Sequence, residues 1–165
     1  MKHQAILSCD PGEHTGLVLW REGAPVEWWA LRLASREGAC RLSEVVSEAV
    51  TERGVTLLVI EQQVPFRGRS FAAGWGTAAF RGAVEHEARR VGIVEGRIER
   101  IKASQWQASV LRWLKRRWPD KDDAFQAFAR GIFEQAGVSP PMPWSDDVGD
   151  ALLLGHYHLN RGLYV

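Results

Sequence analysis

The chain has 165 residues, the size of one ordinary domain, and a formal net charge of +1 at pH 7. Its hydrophobic content of 45% and charged content of 25% are those of a soluble globular protein. Two cysteines exclude a disulfide framework, and no apolar run approaches the roughly 20 residues of a membrane span. Because no signal-peptide pattern opens the sequence, we expect a cytoplasmic protein without a membrane partner, formed by a single domain over 1–165.

The charges are distributed unevenly along the chain. Residues 61–118 contain twelve Lys or Arg residues and five Glu residues, a balance of +7, whereas the rest of the chain has a balance of −6. Such asymmetry is typical of a basic surface beside an acidic one, as in proteins that bind nucleic acid. A set of solvated helix faces is the alternative interpretation, and charge alone leaves both open.

Three strands are predicted at the start of the chain. Residues 4–9 form an apolar segment that ends at Asp10 and is broken by Pro11-Gly12. Residues 17–20 and 26–33 are rich in aromatic and branched side chains and are separated by a turn. This pattern predicts a three-stranded meander.

A helix and a fourth strand follow the meander. Apolar residues recur at helical spacing over 37–53, and Gly54 is a typical residue to end a helix. Residues 55–60 form a continuous apolar run that ends at Glu61. A run without alternation predicts a strand buried on both faces, as in the middle of a parallel sheet.

The second half of the chain is predicted to be mainly helical. A fifth strand is expected within 93–101, and helices are expected over 73–91, 104–118, 122–136 and 145–159. Ser104 and Gln107 have the spacing of a capping box at the start of one of these helices. The element order predicts an α/β fold with a mixed five-stranded sheet and helices on both faces.

Four acidic residues form the candidate functional site. Asp10 and Glu61 each follow a predicted strand, and ligands of open α/β sheets bind at the carboxyl ends of strands. Asp147 and Asp150 are three residues apart near the start of the last helix and therefore share a face. Acids are also favoured in a first helical turn by the helix dipole, which is the simpler explanation for Asp146.

The chemistry of these four residues points to a metal ion. Carboxylate oxygens without nearby Cys or His pairs suit Mg²⁺, with Mn²⁺ able to substitute. Two such ions about 4 Å apart can activate a water molecule and stabilise the leaving oxygen during phosphodiester cleavage. The pattern therefore predicts transfer of a phosphoryl group to water.

Three short segments resemble the motifs of the RuvC-type Holliday junction resolvases. The segment 6–12 followed by Thr15-Gly16 is similar to the opening of that family, and 58–62, which contains Glu61, is similar to its second motif. The segment 147–152 is similar to the closing motif, in which Asp-Ala-Leu follows an acid or His and two further residues. Order and rough spacing match over nearly the whole chain.

The resemblance implies an RNase H-like fold, a homodimer, Mg²⁺ dependence and paired nicking of four-way DNA junctions. It assigns Asp10, Glu61, Asp147 and Asp150 as catalytic metal ligands. The loop 12–15 is one residue shorter than the family pattern, and Arg and Trp replace a Lys-rich middle region. These departures suggest a divergent branch, such as a phage-encoded member acting in the host cytoplasm.

Candidate DNA-binding residues follow the second motif. In the family an aromatic residue after this motif can wedge into the junction, and Phe66 is the nearest match, with Phe71 second. Basic residues that could contact phosphates are Arg67, Arg69, Arg81, Lys102, Lys115 and Arg116. The last two lie near a predicted helix C-terminus, where the helix dipole also favours basic residues.

Three other functions remain open from the sequence. An actin-like ATPase or sugar kinase also opens with an acidic phosphate-binding hairpin, but it needs two such domains. A non-catalytic junction-binding protein would gain nothing from packing carboxylates beside DNA phosphates. A nuclease for other branched DNA or for RNA–DNA hybrids would share the same metal chemistry.

Overall fold

The computed structural model describes residues 5–62, 71–119 and 123–164, with only the backbone described over 71–77. The strands are β1 (Ala5–Asp10), β2 (His14–Arg21), β3 (Ala24–Arg32), β4 (Val55–Gln62) and β5 (Ile98–Lys102). The α-helices of the described ranges are α1 (Arg36–Thr51), α2 (Phe71–Arg90), α3 (Ala103–Arg117), α4 (Ala124–Gln135) and α5 (Asp146–Leu159). Each lies within a few residues of its predicted position.

The five strands form one mixed sheet in the order β3-β2-β1-β4-β5. The meander β1-β2-β3 is antiparallel, whereas β1 pairs with β4 and β4 pairs with β5 in parallel. The two parallel pairs align the carboxyl ends of β1, β4 and β5 at one edge of the sheet. The predicted mixed five-stranded sheet is thereby confirmed.

Helices cover both faces of the sheet, because β1 and β4 are apolar on both sides. One face packs against α1 and α2 through residues such as Leu7, Cys9 and Ile60. The other face packs against α3, α4 and α5 through residues such as Ile6 and Val59. Full burial of each such aliphatic side chain contributes roughly 1.5–3 kcal/mol, so the central strands form a rigid platform.

One predicted detail is wrong. The helix expected to begin with a Ser104 capping box begins at Ala103, with Lys102 at the N-cap position and no side-chain cap, because β5 leads directly into α3. The fifth strand, predicted within 93–101, is confirmed as Ile98–Lys102, and residues 95–97 before it form a 3₁₀ turn. Arg89 and Arg100 bind Glu95 and tie this turn to α2 and β5.

Among the helices in the described ranges, none is both long and apolar enough to cross a membrane.

Candidate metal centre

Asp10 and Glu61 lie side by side at the carboxyl edge of the sheet. Cys9 of β1 pairs with Ile60 of β4, so the two acids follow at the next position of neighbouring parallel strands. Side chains alternate along a strand, and Cys9 and Ile60 both face α1 and α2. The two carboxylates therefore project from the opposite face, the one that α3 and α5 cover.

The N-terminus of α5 supplies the other two acids. Ser145 caps this helix by accepting a hydrogen bond from the main-chain N–H of Val148. Asp147 lies in the first turn and Asp150 one turn further along, as predicted from their spacing. This helix packs across β1 and β2 and reaches β4, which brings its first turns to the edge where Asp10 and Glu61 lie.

Gly16 allows α5 to approach the sheet closely. It pairs with Asp10 across the β1–β2 ladder. A Cβ atom at Gly16 would overlap the main-chain oxygen of Asp147, so no larger residue fits there without displacing the helix. The Thr-Gly dipeptide of the opening motif thus has a structural role, because it sets the depth of α5 over Asp10.

Electrostatic coupling shows that the four acids converge. Burial raises the pKa of Asp10 well above its usual value, and the charges of Glu61, Asp150 and Asp147 raise it further. Burial together with the charges of Glu61, Asp146 and Asp147 raises the pKa of Asp150 to about 7. We call Asp10, Glu61, Asp147 and Asp150 the acidic site.

Asp147 lies at the more open side of the acidic site. Burial raises the pKa of its carboxyl group, while a main-chain hydrogen bond and the nearby His14 act in the opposite direction. The neighbouring Asp146 has a different role, since its carboxylate accepts hydrogen bonds from Gln126 and Trp144 and so links α5 to α4.

The three aspartates of the acidic site are not balanced by basic side chains of the described residues. Within that part of the chain, Asp10, Asp147 and Asp150 form no ion pair with a Lys or Arg side chain. Burial is the largest cause of the raised pKa values of these aspartates, and the charges of the neighbouring carboxylates disfavour ionisation further. Hard oxygen donors in this situation fit a divalent ion such as Mg²⁺.

The carboxylates are near one another without forming a closed ligand shell. Among residues 5–62, 71–119 and 123–164, no three His, Cys, Asp or Glu side chains are already grouped tightly enough to hold a metal ion. We expect binding of an ion at the acidic site to involve side-chain rotation. Asp147 and Asp150, which are only partly buried, have the room for it.

Trp106 is a part of this site that the sequence did not reveal. Its indole N–H donates a hydrogen bond to Oε2 of Glu61 at 2.8 Å, and both side chains are buried. The apolar stripe of the predicted helix indicated that Trp106 belongs to the core, which is confirmed. Its contact with an acid 45 positions earlier depends on how α3 packs against β4.

The predicted DNA-binding residues are only partly described. Phe66, Arg67 and Arg69 lie outside the described residues, and the side chain of Phe71 is not described. These assignments stay predictions.

Two of the other basic residues lie close to the sheet. Lys102 ends β5 opposite Gln62 and is exposed at the same edge as Glu61. Arg81 is half-buried on α2 and its guanidinium lies 3.6 Å from the carboxylate of Glu85. Lys102 is therefore the better placed of the two for a phosphate near the acidic site.

Lys115 and Arg116 lie at the far end of α3. They are exposed in its last turn, about 20 Å along the helix from Lys102. Trp113, in the same half of α3, packs on Tyr164 beyond the C-terminus of α5. The structure therefore does not bring these two residues together with the four acids.

Comparisons with known proteins agree with this architecture. No protein-family model matches the chain, and no curated protein matches it in sequence. Among solved structures, T. thermophilus RuvC in complex with a Holliday junction substrate superposes with a TM-score of 0.68 at 18% identity, covering 97% of this chain and 95% of that one. A second Thermus thermophilus RuvC structure gives a TM-score of 0.63 at 18% identity, covering 94% and 93%.

The two superpositions extend over almost the full length of both proteins. At this level of identity they establish the fold, and the chain has the mixed-sheet, RNase H-like α/β architecture of the RuvC structures.

Proposed function

We propose that this protein is a metal-dependent endonuclease that resolves four-way DNA junctions at the acidic site. The observation that carries the proposal is the convergence of Asp10 and Asp150 with Glu61 and Asp147 at one sheet edge, with no Lys or Arg paired to the three Asp residues in the described ranges. Buried acids in this state are costly unless a cation accompanies them. The resemblance of three segments to RuvC motifs and the shared fold support the same conclusion.

Asp10, Glu61, Asp147 and Asp150 would hold Mg²⁺ or Mn²⁺. When bound, such ions supply an activated water molecule and stabilise the charge on the leaving oxygen. The protein contributes rigid placement, since Asp10 and Glu61 end buried strands and α5 is held close to β2 at Gly16. It also restricts water on the sheet side, because Glu61 is only 3% exposed.

Positive charge beside the site would receive the DNA backbone. Lys102 is exposed at the carboxyl end of β5, next to Gln62. Phosphate contacts of this kind orient the DNA without reading its sequence. Phe66, Arg67 and Arg69 belong to the segment after β4 and are proposed to reach the junction, with Arg81, Lys115 and Arg116 as more distant backbone contacts.

A four-way junction is the proposed substrate, and a homodimer is the proposed active form. The matching T. thermophilus RuvC structure contains a Holliday junction substrate, which supports branched DNA as the ligand class. Resolution of a junction requires two symmetric nicks, hence two active sites related by a two-fold axis. The proposed domain is the whole chain, 1–165.

Cleavage of a synthetic junction tests the proposal. Labelled four-way junction, nicked flap, RNA–DNA hybrid and linear duplex of matching sequence are incubated with the protein in Mg²⁺ and in EDTA. Asp10→Asn removes one ligand, and Asp146→Asn is the matched control because Asp146 bonds to Gln126 and Trp144. We expect paired nicks in the junction alone, lost in EDTA and with Asp10→Asn, and kept with Asp146→Asn.

Other outcomes would change the conclusion in defined ways. Equal cutting of flap, hybrid and duplex would retain the metal-dependent nuclease and exclude junction specificity. Tight junction binding without cutting in either Mg²⁺ or Mn²⁺ would contradict the nuclease and favour a binding protein.

A further inference from the structure

Glu61 is the most enclosed member of the acidic site, and one of its oxygens is held by a neutral donor. The side chain is 3% exposed, and its Oε2 accepts the indole N–H of Trp106 at 2.8 Å. Trp106 itself is fully buried. A buried carboxylate and a buried N–H each cost free energy when unsatisfied, so this contact is strongly favoured over the alternatives available to either group.

An indole N–H suits a carboxylate that has to bind a cation. It is a donor only and carries no charge, so it orients the carboxylate without neutralising it. A Lys or Arg in the same place would compete with a divalent ion for the negative charge. Groups that hold metal ligands in this way tune both the orientation and the affinity of a site.

Trp106 is itself held from two sides. Its ring packs against Phe125 of α4, with ring centroids 5.9 Å apart. Its helix, α3, begins directly after β5, and Ile101 of β5 pairs with Glu61. The indole is thus fixed relative to the strand that carries the carboxylate, which leaves little rotamer freedom on either side of the hydrogen bond.

We propose that Trp106 is a positioning residue that holds the Glu61 carboxylate in its metal-binding orientation. This inference rests on the proposed function, because it assigns a role toward the metal ion of the acidic site. The residue acts through Glu61 and touches neither the ion nor the DNA.

Trp20 provides a matched control within the same protein. Its indole N–H also donates a buried hydrogen bond of 2.8 Å, here to Oγ of Ser8. It is 1% exposed and lies on the same face of the sheet as Trp106. Replacement of either Trp by Phe removes a buried indole N–H bond, but only one of the two bonds ends on a proposed metal ligand.

Calorimetric titration of Mn²⁺ into DNA-free protein tests the proposal. The proteins compared are wild type, Trp106→Phe, Trp20→Phe and Glu61→Gln, with urea denaturation of each to measure the free energy of unfolding. We expect a dissociation constant for Mn²⁺ about 10- to 100-fold higher in Trp106→Phe, a wild-type value in Trp20→Phe, and loss of the tight site in Glu61→Gln. Both Trp variants should lose similar stability.

Each result has a distinct meaning. If wild type binds Mn²⁺ and Glu61→Gln does not, equal affinities for Trp106→Phe and Trp20→Phe would overturn the positioning role and leave the metal site intact. Absence of a wild-type site, or full affinity in Glu61→Gln, would overturn both the positioning role and the proposed function.

If Trp106→Phe does not fold, an NMR titration of the wild-type protein tests the proposal instead. The indole N–H proton of Trp106, assigned through its contact with Phe125, is followed by NMR while Mg²⁺ is added. We expect the chemical shift of the Trp106 indole proton to change with added Mg²⁺ until the site is saturated, and that of Trp20 to stay constant. An unmoved Trp106 resonance at saturating Mg²⁺ would overturn the proposal.

Discussion

Two clusters of acids in this protein, one around the buried Glu85 and one at the acidic site, behave in opposite ways. In the arginine-bridged cluster, formed by Glu85 and Glu95 with Arg81, Arg89 and Arg100, both oxygens of Glu85 accept hydrogen bonds of 2.8 Å from Arg100. Burial raises the pKa of Glu85, but the bonds from Arg100 and Arg89 outweigh it and the net pKa lies below the usual value. In the acidic site the pKa values of Asp10 and Asp150 are raised instead.

The difference separates a structural role from the functional role that we propose for the acidic site. The arginine-bridged cluster ties α2 to β5 and to the 3₁₀ turn at 95–97, and each of its acids is paired with arginines of the same protein. The acidic site gathers like charges whose mutual repulsion lowers the stability of the protein. Groups with strongly shifted pKa values of this kind are common at functional sites. We propose that an external cation takes, at the acidic site, the place that the arginines have in the other cluster.

Removing the charge of one acid from each cluster gives the largest expected contrast. Glu61→Gln should lower junction cleavage about 10³-fold, because the loss of several kcal/mol of metal-assisted stabilisation corresponds to three powers of ten in rate. Its fold should persist, since the amide oxygen of Gln can still accept the N–H of Trp106. The cleavage rate and the free energy of unfolding in urea are measured for Glu61→Gln and for Glu85→Gln in the arginine-bridged cluster.

Glu85→Gln should have the reverse profile. The free energy of unfolding should fall by about 1–3 kcal/mol, because Arg100 and Arg89 lose charged hydrogen-bond partners. Cleavage per folded molecule should not change. A large loss of cleavage in Glu85→Gln with intact stability would contradict the separation of the two clusters.

The second contrast is the pH dependence of the free energy of unfolding, measured on metal-free wild type and Asp150→Asn. The pKa of Asp150 is about 7 in the folded protein and about 4 in an unfolded chain, so between these values only the folded state holds the proton. The contribution of the Asp150 carboxyl group to the free energy of unfolding is therefore fully present below pH 4 and is lost as the pH rises through 7. Asp150→Asn cannot ionise and should be about 2–4 kcal/mol more stable than wild type at pH 8 in EDTA.

Mg²⁺ is the control for that series. At one hundred times its dissociation constant it should restore about 2.7 kcal/mol to wild type at pH 8 and much less to Asp150→Asn. Urea denaturation at pH 4 and pH 8 measures both effects. Parallel pH profiles for wild type and Asp150→Asn would show that neither burial nor the charges of the neighbouring acids raise the pKa of Asp150.

The close approach of α5 to β2 is tested by a smaller change. Gly16→Ala would force the main chain at Asp147 away from the sheet, with an expected loss of about 1–3 kcal/mol of stability. A shift of the acids by about 1 Å can lower the rate about 10²-fold. Gly131→Ala on α4 is the control, since its Cβ has no neighbour within 4 Å and should stabilise the helix by up to about 1 kcal/mol.

Thermal melting temperatures and cleavage rates are measured for both glycine variants. Wild-type cleavage by Gly16→Ala would mean that catalysis tolerates displacement of α5 over Asp10, and would contradict the role assigned to this glycine.

The fold and the positions of the four acids could be predicted from the sequence because strong local patterns encode them. The uninterrupted run before Glu61 predicted a doubly buried strand, and β4 is the neighbour of β1. Convergence of Asp10 with Glu61 required that pairing, which the sequence suggested and the register confirms. Asp147 and Asp150 share a face through helical spacing alone.

Tertiary contacts account for what the sequence did not reveal. The bond from Trp106 to Glu61 depends on the rotation of α3, whereas the amphipathic pattern indicates only that Trp106 is buried. Arg81 was predicted to contact phosphate, but Glu85 lies one helical turn away and binds it in the free protein. The Ser104 capping box failed because strand β5 continues to Lys102 and leaves no loop for a cap.

The central claim is that the acidic site binds a divalent cation, whereas the arginine-bridged cluster does not. Anomalous diffraction from crystals grown with Mn²⁺ tests this most directly, because each bound ion gives a peak at its position. We expect a strong peak among the carboxylates of Asp10, Glu61 and Asp150, absent from crystals of Asp10→Asn. An empty acidic site, or a peak only beside Glu85 and Glu95, would contradict the central claim.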